Sequence, residues 1–121
     1  DNERLSADWA IRVLASCQAS QATLARVERL IMVTRHDATP NEPDEQLLVD
    51  IDLAILGTTP ERFAEYDAQV RAEYAWVPGF VYRMKRRSVL QSFLARSMIY
   101  STDHFRARYE AQARINLAGV I

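Results

Sequence analysis

Leu47-Leu48-Val49-Asp50-Ile51-Asp52-Leu53-Ala54-Ile55-Leu56-Gly57 is the stretch whose reading decides the fold. At 3.6 residues per turn it is apolar on nearly every side, the pattern of a helix buried all round rather than laid on a surface. Two carboxylates interrupt it. An ionised Asp in such surroundings is costly unless a cation, a hydrogen-bond donor or a metal meets it, so each needs a partner. Residues two apart on a helix point about 200° apart, so Asp50 and Asp52 face different ways and cannot both ligate one ion without distortion. One of them is expected to face a site, and the other to meet a structural partner such as an arginine from a neighbouring helix.

Working outward, Pro43 suits the first turn of this helix and Gly57 its end. Ahead of it lies Arg35-His36-Asp37-Ala38-Thr39-Pro40-Asn41-Glu42-Pro43-Asp44, the one long polar, proline-bearing segment and hence the main loop. Before that loop the spacing predicts a helix from about Gln21 to Thr34, with Leu24, Val27, Leu30, Ile31 and Val33 on its core side. A first helix, capped by Asn2 or Ser6, carries Leu5, Trp9, Val13 and Leu14 at helical spacing and ends near Ser16 to Ser20. Downstream, Thr59 and Pro60 read as a cap and first residue for a helix of about Pro60 to Trp76, with Phe63, Tyr66, Val70, Tyr74 and Val77 along one stripe. Pro78-Gly79 breaks it. A fifth helix runs from about Phe80 to Ser97, with Val81, Met84, Val89, Leu90, Phe93 and Leu94 as its buried set. Ser101 or Thr102 caps a last one holding Phe105, Tyr109, Ala113, Leu117 and Val120.

The whole therefore reads as all-α, a single helical bundle of about six helices, with no internal repeat and no dividing linker. Composition agrees: three Gly and four Pro in 121 residues leave little to break helices, and 49% hydrophobic content is enough for a core. With 15 basic against 16 acidic residues the net charge is −1, which gives no electrostatic reason to expect nucleic acid or an anionic membrane as partner. The lone Cys17 cannot form an internal disulfide and reads as a packing residue in a reducing, cytoplasmic setting. There is no signal-peptide pattern and no apolar run near membrane length, so the expectation is a soluble protein. The chain opens on Asp1-Asn2-Glu3 rather than Met, within what reads as a helix start.

Several segments together carry a resemblance. Val49-Asp50-Ile51-Asp52-Leu53-Ala54-Ile55-Leu56-Gly57 is followed by Tyr66, by Arg71-Ala72-Glu73-Tyr74, by Val89-Leu90-Gln91-Ser92-Phe93-Leu94-Ala95-Arg96 and by Ala113-Arg114-Ile115-Asn116-Leu117. In this order they resemble the HD-domain superfamily of metal-dependent phosphohydrolases, and within it the bacterial subgroup with a D-x-D-L-A-x-L-G helix and an R-x-E-Y helix. Asn2-Glu3-Arg4-Leu5-Ser6-Ala7 is similar to the segment that follows the His-Asp pair in that subgroup. The resemblance implies an HD-like helical fold in which a divalent metal ion (Mn, Mg, Fe or similar) is held by an N-terminal His, a His-Asp pair and a later Asp. Motif for motif, that later Asp is Asp52, with Asp50 as the alternative. The family's His and His-Asp pair fall ahead of Asn2, so residues 1–121 correspond to the C-terminal part of such a domain, and the metal site is incomplete without the N-terminal helices.

The implied activity is hydrolysis of a phosphate ester, a phosphorylated small molecule with nucleotides among the candidates. The bound ion lowers the pKa of its water and neutralises charge on a phosphoryl oxygen. Arg71, whose fork matches phosphate oxygens, and His36 are the candidate substrate contacts. Each has a plainer reading. Arg71 with Glu73 reads as an inter-helix salt bridge, and His36 as a rim residue or a cation at the end of a helix, where the dipole is negative. His36-Asp37 lies in a loop too close to Asp52 to be the family's His-Asp pair. Arg83, Lys85, Arg86 and Arg87 read as a solvated basic face, His104 as surface, and Trp9 and Trp76 as core or interface residues. A different class of function is a catalytically silent helical module that dimerises or binds a partner through Phe63, Tyr66 and Tyr74. A DNA-binding regulator is disfavoured because no recognition helix rich in Arg, Asn and Gln stands out.

Overall fold

A computed structural model describes residues 1–121, and the chain is all-helical: six helices, no strand. They are α1 (Asn2–Ser16), α2 (Gln21–Val33), α3 (Pro43–Leu53), α4 (Pro60–Glu73), α5 (Gly79–Leu94) and α6, residues 103–119. No helix is long and apolar enough to cross a membrane. The chain divides into two compact units, Asp1–Asp52 and Leu53–Ile121.

In the first unit α1 and α2 pack on each other, with Ala7 and Leu24 buried. Asp1, rather than Asn2 or Ser6, caps α1 by accepting the Arg4 N–H at 3.0 Å. Ser20 caps α2 through the Thr23 N–H at 3.2 Å. Arg4 ties the two helices, reaching Asp8 on its own helix at 2.7 Å and Glu28 on α2 at 3.1 Å. The start of α3 is fastened to α2 by Arg26 on Asp44 at 2.7 Å and Arg29 near Glu45 at 3.8 Å.

In the second unit α3 gives way to a 3-10 turn, Ala54–Gly57, in place of the continuous helix to Gly57 that the sequence suggests. Gly57 lies so close to α6 that a Cβ there would stand 2.6 Å from Tyr109 Cβ and 2.7 Å from Tyr109 O, so only glycine admits this approach. The turn is held by Asn116, buried on α6, whose Nδ2 donates to Leu56 O and Thr58 O, both at 2.9 Å. Tyr100 Oη donates to Leu53 O at 2.7 Å. Thr59 caps α4 through the Arg62 N–H, with Pro60 in the first helical position, as the sequence indicates.

The segment between α5 and α6 is strapped by two residues one turn apart on α6. Glu110 accepts the backbone N–H groups of Ile99 and Tyr100 at 3.0–3.1 Å. It also takes Arg114 Nε at 2.9 Å, and Arg114 in turn donates to the carbonyls of Leu94, Arg96 and Ser97. α6 begins as one α-turn, Asp103–Phe105, loosens into a π-helical stretch over Arg106–Glu110 and resumes as Ala111–Gly119.

Burial differs from the pattern reading at several places. α3 is not buried all round: Leu47 is exposed and Ile51 is 54% exposed. The α1 set Leu5, Trp9 and Val13 is exposed, as are Met84 and Val89 on α5, and neither Trp9 (62%) nor Trp76 (80%) lies in the core. Cys17 is exposed at the end of α1 rather than packed. Periodicity identifies the apolar stripe of a helix, but how much of that stripe is covered depends on how many neighbours arrive, and α1 has one close neighbour, α2.

Candidate functional site

The two aspartates of α3 separate as helical geometry requires. Asp50 is 0% exposed, whereas the Asp52 side chain is 49% exposed. Asp52 stands in the last turn of α3, where the backbone dipole makes a carboxylate unwelcome and a cation favourable. The cation-capable group that meets it is His36: Nε2 lies 2.6 Å from Asp52 Oδ2, and the ring is only 17% exposed. With an ionised carboxylate as acceptor, Nε2 is the donor.

His36 is aimed there by the way α2 ends. Thr34, Arg35 and His36 donate their N–H groups to Ile31, Met32 and Val33 in a tightened final turn, after which His36 takes φ 60°. That left-handed conformation costs an L-residue about 1–2 kcal/mol and is usually left to Gly or Asn. Gln18 has the same conformation (φ 62°) after α1, so a positive φ is how both turns in this unit are made and does not by itself mark a site. The pairing with Asp52 is what distinguishes His36.

Near the N-terminus of the same helix, Asp44 is held below the usual carboxylate range. Partial desolvation, the largest influence, pushes it up, and the hydrogen bonds from Arg26 and the Glu45 N–H more than offset that.

Arg71 belongs to the second unit. Its guanidinium donates to Tyr74 O at 3.0 Å and Val77 O at 3.3 Å, and sits 4.5 Å over the Tyr82 ring. It closes the C-terminal end of α4 by satisfying free carbonyls, a role different from the inter-helix salt bridge expected of it. Across from it, Arg86 reaches Asp67 at 3.2 Å and lies 5.4 Å from the Tyr66 ring. His104 is exposed beside Phe105.

As a metal centre, the residues present supply His36 and Asp52 and no more. No group of three or more His, Cys, Asp or Glu side chains could hold an ion. Catalytic metal sites usually take three protein ligands, so residues 1–121 do not complete one. Glu110, which pattern reading missed, and Arg114 and Asn116, which it quoted within a motif without assigning them a role, are the clamps of the second unit. The signal for the first two was their i, i+4 opposite-charge spacing. The chain matches no family model, no curated protein and no solved structure.

Proposed function

We propose that this chain is part of a cytoplasmic metal-dependent phosphohydrolase of the HD superfamily, acting on a phosphorylated small molecule, with Asp52 as one ligand of a divalent ion. The observation that supports this reading is the contrast within one helix. Asp50 is sealed in the interior, while Asp52, two residues on, presents its carboxylate at the negative end of α3 against an imidazole. Of the two, only Asp52 is accessible to an ion. Arg71 takes a structural role in this reading because its donors are engaged with carbonyls.

The reading requires a His and a His-Asp pair that residues 1–121 do not supply, so its test uses protein purified with its native N-terminus. Elemental analysis and Mn²⁺ titration are compared for this protein and for Asp52→Ala, with hydrolysis of p-nitrophenyl phosphate as the activity. Bound metal and hydrolysis in the parent, both lost in the variant, are the expected results. Absence of ion and of hydrolysis in both overturns the enzyme.

The silent-module reading is favoured by one observation: large apolar side chains, Trp76 and Phe80 foremost, stand exposed at the junction of α4 and α5. It loses Phe63, which is buried. Light scattering that gives a dimer for a protein without metal supports it.

A further inference from the structure

Between α4 and α5 the chain leaves a cavity of about 490 Å³, within the usual range for small-molecule sites. Long cationic side chains bridge the two helices beside it. Arg86 spans to Asp67, and Arg71 lies over Tyr82. Val70, Val81 and Val89 line the cleft between them. At its end the turn between the helices raises Trp76 beside Tyr74, ring centroids 6.4 Å apart and tilted by 45°, a wall on which a flat ring can lie.

The charge of the lining is one-sided. Arg86 is engaged with Asp67, but Lys85, which also lines the cleft, makes no ion pair or hydrogen bond. No carboxylate lines the cavity, and α5 contains no acidic residue from Gly79 to Leu94. An ammonium group beside an aromatic, largely apolar cleft is complementary to an apolar body carrying a negative charge.

We infer that the α4–α5 cleft is a binding site for a small aromatic anion, its ring against Trp76 and Tyr74 and its carboxylate or phosphate on Lys85. The site is independent of the Asp52 reading and stands or falls without it.

The chain has two tryptophans, so in a Trp9→Phe background the emission of Trp76 reports on the cleft alone. 2-Naphthoate, which cannot be hydrolysed, is titrated against its neutral analogue 2-naphthamide and against decanoate. The expected result is saturable quenching by 2-naphthoate, with 2-naphthamide about tenfold weaker for want of one charge-assisted bond. In Lys85→Gln the two are equal, while circular dichroism and melting are unchanged because Lys85 is exposed and unpaired. No saturable quenching, equal affinities in the parent, or a Lys85→Gln titration identical to the parent's overturns the site. Tighter binding of decanoate than of 2-naphthoate overturns the aromatic assignment. Trp76 emission that shifts with protein concentration in the absence of ligand shows a second copy in the cleft and likewise overturns it.

Discussion

His36 and Asp52, 16 residues apart in the chain, meet through Nε2 and Oδ2 at 2.6 Å, the left-handed end of one helix delivering an imidazole to the last turn of another. The pair is part-exposed, so its contribution to stability is small, at most about 1 kcal/mol. The imidazole fixes one carboxylate oxygen of Asp52 at the end of α3.

Asp50 and Asp52 therefore behave oppositely when removed. Asp50→Ala deletes a fully buried carboxyl and lowers stability by roughly 1–3 kcal/mol, the cost of leaving buried polar groups unsatisfied. Asp52→Ala stays within about 1 kcal/mol of the parent and, on the proposed function, abolishes the Mn²⁺ affinity of protein carrying its native N-terminus. Urea denaturation and metal titration of the two variants check this, and the reverse pattern would assign the ligand to Asp50.

The positive-φ positions separate backbone from side-chain effects. Gln18→Gly relieves left-handed strain at an exposed turn and raises stability by about 0.5–1 kcal/mol after the entropy cost of the added glycine. His36→Gly gains the same relief but gives up the bond to Asp52, so its net change is near zero, while His36→Ala is lower than His36→Gly by about 1 kcal/mol. Denaturant midpoints rank the three variants.

At Gly57 a methyl group has no room, because it would meet the Cβ, Cα and carbonyl of Tyr109, two of them backbone atoms that cannot swing aside. Gly57→Ala costs about 2–3 kcal/mol, the upper range for overpacking. Thermal melting reads the loss. An Ala variant as stable as the parent would mean that α6 can retreat from the 3-10 turn.

Asp44 sets part of the acid limit of stability. Its folded pKa lies below its unfolded value, so its contribution is fully present above the ordinary carboxylate pKa of about 3.9 and is lost as pH falls through the lower folded value. Asp44→Asn is accordingly less stable than the parent near neutrality, and the two converge in strong acid. Urea midpoints between neutral pH and strong acid measure the convergence.

Burial raises the Tyr82 hydroxyl, and Tyr82 Oη has no hydrogen-bond partner. The folded state favours its protonated form, so this stability is complete below the ordinary tyrosine pKa of about 10 and is lost as pH climbs through the higher folded value. Tyr82→Phe removes that alkaline loss without a neutral-pH penalty, which tyrosine absorbance and unfolding at high pH detect.

How much of this is legible in the letters can be judged residue by residue. Helical periodicity, the Thr59-Pro60 start, the Pro78-Gly79 break and the separation of Asp50 from Asp52 are local properties, set by backbone geometry within one turn, and they are readable without a structure. The chain alone thus determined an all-helical fold and the opposite facing of two carboxylates. Only the tertiary structure decided that Asp52 rather than Asp50 stays open and that His36 is its neighbour. The same holds for Glu110, Arg114 and Asn116 clamping the turns of the second unit, and for the cleft between α4 and α5. Those outcomes depend on which surfaces meet across tens of residues, and a side chain's hydrophobicity records its preference for burial but not the identity of what covers it.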